Sequence, residues 1–453
     1  MKVIILAGGG GTRLFPLSRK SRPKQFLNVD NDLSLLGETI VRFRNMIRPD
    51  DIVVVTNKDY VHHVRTELQS CKAEAAHIVE EPMARNTAPA IALAVQYCKD
   101  VLGAADDEVV FISTSDHILR PALAFQSAVN KAAAFAEKGN FVTFGICPTG
   151  PETGFGYIET GEELGGAVRT TSFQEKPDRE TAERYLSQGN YYWNSGMFAF
   201  TIGCYLGELK SYAPEVFAKI RPTYQETMEQ FGDMPDISID YAVAEHSRLG
   251  VTIPLKLYWN DVGSWDAIYE VLEKDESGNA IKGDAIAIDC KDNLIFGQSR
   301  LIAGIGLKDV MIVETDDVIL VAQKGESQKV KDLVNTLKRR GRKEAVEHTT
   351  LYFSWGQQTL LGQGKGYKMK QLTIHPGQEL EMRMHYHRSV HWVVTRGTAE
   401  VSMEDRLQMV HDNESVFIPK TTRYGLRNPG KIPLVIIEVE NGDYLEDDDV
   451  ILG

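Results

Sequence analysis

The residues before position 147 switch repeatedly between two hydrophobic periodicities, and that switching narrows the fold more than any other feature of the chain. Short β-branched apolar runs occur at KVIILA (2–7), IVVVT (52–56), EVVFIST (108–114) and FVTFGI (141–146). Between them lie TIVRFRNMI (39–47), VHHVRTELQS (61–70), APAIALAVQYCKDVL (88–102) and FQSAVNKAAAFAEKG (125–139), whose apolar residues recur at helical spacing. Strands alternating with helices predict a parallel α/β sheet covered on both faces. Ligands of such a sheet bind beyond the C-terminal ends of its strands, where the glycine-rich GGGGTR (8–13) and STSDH (113–117) both fall.

After Ile146 the pattern changes. Residues 157–173 and 192–200 read as short strands of a lid or sugar-binding half, with a helix at TAERYLSQG (181–189). Alternating segments with turn residues from about Ser277 to Gln323 predict a small all-β connector. The basic segment SQKVKDLVNTLKRRGRKEA (327–345) reads as an exposed helical spacer. From about Thr350, short strands separated by Gly and Pro turns predict a small β-sandwich or barrel. The expected divisions are 1–275, 276–345 and 346–453.

Composition removes several function classes. Fifty basic residues against sixty-three acidic ones leave a net charge of −13, a poor basis for binding nucleic acid or anionic membranes. No apolar run reaches the roughly 18–20 residues of a membrane span. The apolar start is too short for a signal peptide and reads as a buried first strand. Cys71, Cys98, Cys147, Cys204 and Cys290 are scattered and odd in number, which fits a reduced cytoplasmic protein without disulfides or structural zinc.

The segment LAGGGGTRLFPLSRKSRPKQFL (6–27) carries the most chemical information. Gly8, Gly9, Gly10 and Gly11 permit a tight turn whose amides can approach anionic oxygens. Arg13, Arg19, Arg22 and Lys24 add positive charge nearby. The spacing is neither that of a P-loop nor that of a dinucleotide fingerprint. Further along come EEPMARNTAPAIALA (80–94), TSDH (114–117), TGFGYIETG (153–161), FQEKPD (173–178), YWNSGMFAF (192–200), SIDYAVAE (238–245) and NDVGSWDAIYE (260–270).

In this order the motifs resemble those of the sugar-1-phosphate nucleotidyltransferases, of the mannose-1-phosphate guanylyltransferase type. Residues 350–445 resemble the isomerase-type cupin of its long form. The resemblance implies a Rossmann-like, GT-A type domain joined through the β connector to a cupin β-barrel. It also implies transfer of GMP from GTP to mannose 1-phosphate with release of pyrophosphate, in the cytoplasm and by a homodimer. Such a reaction brings two anions together, so it needs positioning, fixed cations and a hard divalent ion, Mg²⁺ or Mn²⁺. On the matching positions, Asp116 and Asp261 are the expected metal ligands. Arg13 and Lys24 are expected on the triphosphate, with Arg13 stabilising departing pyrophosphate. The glycine loop, Arg85, Asn86, Thr87 and Ser115 would bind the nucleotide, and Gly156, Glu175, Lys176 and Asn194 the sugar phosphate. Trp193 and Trp265 read as core or cleft walls. Phe15 and Thr114 replace the family's usual Trp and Pro, without removing a charge.

The C-terminal segment departs further. His385 and His387 have the spacing of two cupin metal ligands and would face one side of a strand. Val390 stands where the family has glutamate, and Tyr424 where it has a later histidine. His385, His387 and His391 could rebuild a three-histidine site. The main expectation is a nucleotidyltransferase whose cupin keeps its fold and has lost isomerase chemistry; a second reading retains mannose-6-phosphate isomerisation, and a third makes the whole chain a non-catalytic nucleotide-sugar sensor.

Overall fold

The computed structural model describes residues 1–452. A nine-stranded sheet dominates the first part. From one edge its strands are His77–Glu81, Ile52–Asn57, Lys2–Leu6, Val109–Thr114, Tyr191–Thr201, Phe141–Ile146, Gly250–Leu255, Val168–Gln174 and Tyr157–Glu163. The apolar runs alternate between two cores, as strand geometry requires. Val3, Ile5 and Val54 pack into one face, and Ile4, Val53 and Val55 into the other, all fully buried. The helices Leu35–Arg44, Val61–Ser70, Thr87–Asp100 and Ala122–Ala136 form close to the expected positions. Ser34 caps the first by accepting the Gly37 N–H at 2.9 Å.

The sheet is mixed, where the alternation of strands and helices predicts a parallel one. The first four strands are parallel, but Tyr191–Thr201 enters antiparallel between Val109–Thr114 and Phe141–Ile146. Apolar periodicity records which faces a strand buries and is blind to its direction. The intervening hairpin Tyr157–Glu163/Val168–Gln174 and the helix Arg179–Gln188 bring the chain back reversed.

The connector is a short parallel coil of strands. Ala280–Lys282, Leu294–Phe296 and Val310–Glu314 pair in parallel, as do Ala285–Ile288 and Ile302–Ile305. The helix Val330–Arg339 that follows is not an exposed spacer. Val330 and Val334 are buried in one cluster with Leu14, Phe15, Val262 and Trp265, and Leu337 packs against it. Its basic residues Lys331, Lys338 and Arg339 stay exposed beside that apolar stripe, so a charge count over the segment hides an amphipathic helix. The C-terminal domain is a barrel of six- and five-stranded antiparallel sheets around Leu372, Trp392, Leu426 and Ile436.

Candidate functional site

Two aspartates 145 positions apart in sequence are brought together by a two-stranded ribbon. Tyr258–Asn260 pairs antiparallel with Ile118–Arg120, with Asn260 opposite Ile118. Continuing that register sets Asp261 opposite His117, one residue from Asp116. The Lys24 ammonium sits between them, 2.9 Å from Asp116 Oδ2 and donating to the Asp261 carbonyl. Burial pushes the Asp116 pKa up, but Lys24 and His117 outweigh it and hold the carboxyl below its usual value.

Asp261 is held by an unusual backbone. Val262 lies at φ +48, a costly conformation for a β-branched residue. The turn closes through the Val262 N–H to Asn260 Oδ1 at 2.7 Å and the Gly263 N–H to Asp261 Oδ1 at 3.1 Å. Trp265 is fully buried and donates its indole N–H to the Phe15 carbonyl at 2.9 Å, tying this lip to the glycine loop. The loop is pinned by Gln25, which donates to the carbonyls of Ala7 and Gly9 at 2.9 and 3.0 Å.

A cleft of about 510 Å³ opens over these groups. Gly8, Gly9, Gly10, Asn86, Thr87, Ser115, Asp116, Gly156, Glu175, Asn194 and Asp261 all line it. An adjoining lobe is lined by Gly11, Arg13 and Lys24, again with Asp116 and Asp261. Asn86, at φ +65, caps the helix Thr87–Asp100 by accepting the Thr87 N–H, so that helix N-terminus meets the cleft.

Three expected cations turn elsewhere. Arg85 donates to the Gly232 carbonyl and does not line the cleft. Arg19 is fully buried against Asp317, at 2.5 and 2.6 Å. Arg22 reaches the Phe26 carbonyl and the Tyr352 hydroxyl. Arg19 and Arg22 pack the loop against connector and barrel, leaving Arg13 and Lys24 as its cations in the cleft. Lys176, more than half exposed, stands at the rim and pairs with Glu175 at 2.7 Å.

The structure adds residues for which the motifs assigned no role. Glu81 is buried, its carboxyl has no hydrogen-bond partner among the described residues, and burial pushes that carboxyl up to about 7. A Cβ on Gly8 would sit 2.5 Å from Glu81 Oε2, so glycine lets the carboxylate lie against the loop. Asp240 accepts from Asn194 Nδ2 at 2.8 Å, and burial and then Glu175 raise it to about 6. Their signal was present in EEPMARN and SIDYAVAE, but neither string says which carboxylate faces the cleft.

The barrel interior holds an ion network in place of a metal site. His385 is buried with Nε2 2.7 Å from the Tyr424 hydroxyl, a phenol that burial raises far above its usual pKa. The strand Glu379–His385 ends there, so His387 lies in the following turn, exposed and 2.8 Å from Asp449. Val390 and Trp392 point inward, which turns His391 outward. The three histidines therefore do not converge. Lys370, Glu440, Arg388 and Asp449 fill the interior with ion pairs of 2.6 to 3.2 Å. These residues do not fit a cupin metal.

This fold and cleft define a sugar-nucleotide type of nucleotidyltransferase, and the chain belongs to the nucleotidyl transferase family, whose model matches residues 2–278. Residues 283–337 match the MannoseP isomerase/GMP-like beta-helix domain, and 340–452 the mannose-6-phosphate isomerase C-terminal domain. The chain is 42% identical to a putative mannose-1-phosphate guanylyltransferase of Vibrio cholerae, over 99% of this chain and 98% of that protein. It is 43% identical to the xanthan biosynthesis protein XanB of Xanthomonas campestris, over 99% and 97%. A solved structure described as mannose-1-phosphate geranyltransferase from Thermus thermophilus superposes with a TM-score of 0.69 at 29% identity, covering 74% of this chain and 99% of that one.

Proposed function

We propose that the protein is a mannose-1-phosphate guanylyltransferase that makes GDP-mannose for polysaccharide synthesis. The observation that carries this reading is the pair Asp116 and Asp261 gathered around Lys24 at the mouth of the glycine loop. In the reaction, a phosphate oxygen of mannose 1-phosphate forms a bond to the α-phosphorus of GTP. The α–β bridging P–O bond breaks, and its electron pair leaves with pyrophosphate. Asp116 and Asp261 suit a Mg²⁺ that keeps phosphate and water among its ligands, and among the described residues no cluster of three or more His, Cys, Asp or Glu competes for it. When bound, the ion would neutralise charge on the polyphosphate. Lys24 would hold the α-phosphate beside it and Arg13 the leaving phosphates. Glu175, Asn194 and Asp240 would accept from or donate to sugar hydroxyls, and Lys176 at the rim would meet the sugar phosphate.

Glu81 supports guanine as the base. An ionised carboxylate only accepts, and guanine presents N1–H and N2–H donors side by side, whereas adenine presents an acceptor at N1. The KM for GTP should therefore fall as pH rises through about 7, because ionised Glu81 is the binding form and burial holds its pKa there. Glu81→Gln should abolish that slope and cut discrimination between GTP and ITP, which lacks the 2-amino group, on the order of tenfold. Unchanged discrimination and slope would remove Glu81 from the base pocket.

The test of the whole reading is pyrophosphate release by purified protein across four nucleoside triphosphates and several hexose 1-phosphates. GTP with mannose 1-phosphate should be the preferred pair; no release from any pair would instead favour a sensor. Among the described residues no helix is long and apolar enough to cross a membrane. We place the enzyme in the cytoplasm, where its five free cysteines stay reduced, as a homodimer. The barrel, on this reading, keeps a structural role. Added Zn²⁺, Co²⁺ or Mn²⁺ should give no interconversion of mannose 6-phosphate and fructose 6-phosphate, and measurable conversion would overturn that part.

A further inference from the structure

The cleft has a charge deficit on its polyphosphate side. Lys24 is already engaged with Asp116, and Arg19 and Arg22 are turned away. With the two aspartates given to Mg²⁺ and Lys24 to the α-phosphate, the glycine segment offers the β- and γ-phosphates Arg13 alone. A further cation arrives from outside the nucleotidyltransferase sheet. Lys331, on the first turn of the helix Val330–Arg339, lines the same lobe of about 440 Å³ as the glycine loop and both aspartates. It is exposed and, among the described residues, forms no ion pair. Its place is rigidly set, because Val330 and Val334 on either side are buried in the cluster that seats Phe15 and Trp265.

We propose that Lys331 binds the β- and γ-phosphates of the nucleotide and the pyrophosphate product, making the connector helix part of the active site. The inference rests on the nucleotidyltransferase reading above and extends it beyond residues 1–275. Lysine suits the task as a compact charge on a flexible stem, able to follow pyrophosphate as it separates from the α-phosphorus. The docked helix brings the cation without a closing loop. A chain cut before the helix would lose it.

The test compares full-length wild type with Lys331→Ala, Lys331→Gln and Lys331→Arg, with Lys338→Ala on the far end of the same helix as control. Calorimetry with Mg²⁺-pyrophosphate should show binding about tenfold weaker for the Ala and Gln variants, as for loss of one charge-assisted contact. The KM for GTP should rise by a similar factor while that for mannose 1-phosphate stays within about twofold. Lys331→Arg should retain most of the affinity, and Lys338→Ala should match wild type. Equal pyrophosphate affinity in wild type and Lys331→Ala, no pyrophosphate binding by wild type, or an equal rise of both KM values would each overturn the proposal. Pyrophosphate binding that weakens in Lys331→Ala, in a protein that makes no GDP-mannose, would uphold Lys331 and refute the assigned reaction instead.

Discussion

Asp116→Asn and Asp261→Asn should each lower pyrophosphate release on the order of a thousandfold while the protein stays folded. Asparagine keeps the shape of both side chains. What disappears is the anionic oxygen that would hold the metal, and in Asp116 also the partner that orients the Lys24 ammonium at 2.9 Å. The two losses should not add, because both act on one arrangement of charge and the second finds it already broken. Asp116 is held below its ordinary pKa, Lys24 and His117 outweighing burial, so it should remain ionised through the neutral range and activity should not fall there on its account. Steady-state rates read beside circular dichroism melting curves check the expectation. Near-normal turnover in either variant would refute the metal assignment.

Arg19→Ala should cost about 2 to 3 kcal/mol of stability, less than the loss of a fully buried pair because Asp317 keeps contact with solvent. Its guanidinium is fully buried, makes two bonds to Asp317 and donates from Nε to the Pro16 carbonyl at 3.1 Å. Removal leaves Asp317 without its counter-ion and empties the buried site that the Arg19 side chain fills. It also frees the segment between the glycine loop and Lys24, so the variant should lose activity even where it remains folded. The sign of the pH effect follows from Asp317, whose pKa burial raises but Arg19 lowers further. A depressed carboxyl contributes stability that is present above its unfolded pKa and is lost as pH falls through the folded value. Urea unfolding should therefore show wild type and Arg19→Ala converging in acid. A loss under about 1 kcal/mol at neutral pH would show that the pair is dispensable.

Much of the site was legible because its chemistry is carried by residue type and order. A glycine turn after a β-branched strand, an aspartate after the strand Val109–Thr114 and another in NDVGSW can be read off the string, and the structure brings all three to one cleft. The alternation of periodicities likewise yielded the strands and helices, since burial of each face is a local property. The corrections share one cause. Arg13, Arg19 and Arg22 look alike in a string, yet one lines the cleft, one is locked on Asp317 and one reaches Tyr352 of the barrel. His387 and His391 sit at plausible ligand spacing, and the end of one strand and the pleat of the next turn both away.

Amino-acid order alone determined the α/β character of the first domain, its glycine loop, the pair of acidic residues and the weakened cupin motif, because periodicity and charge are written residue by residue. Tertiary structure alone decided the reversed strand Tyr191–Thr201, the burial of Arg19 and the delivery of Lys331 to the cleft. Strand direction and the partner of a charge depend on what lies across the core. Nothing within a few residues along the chain specifies that.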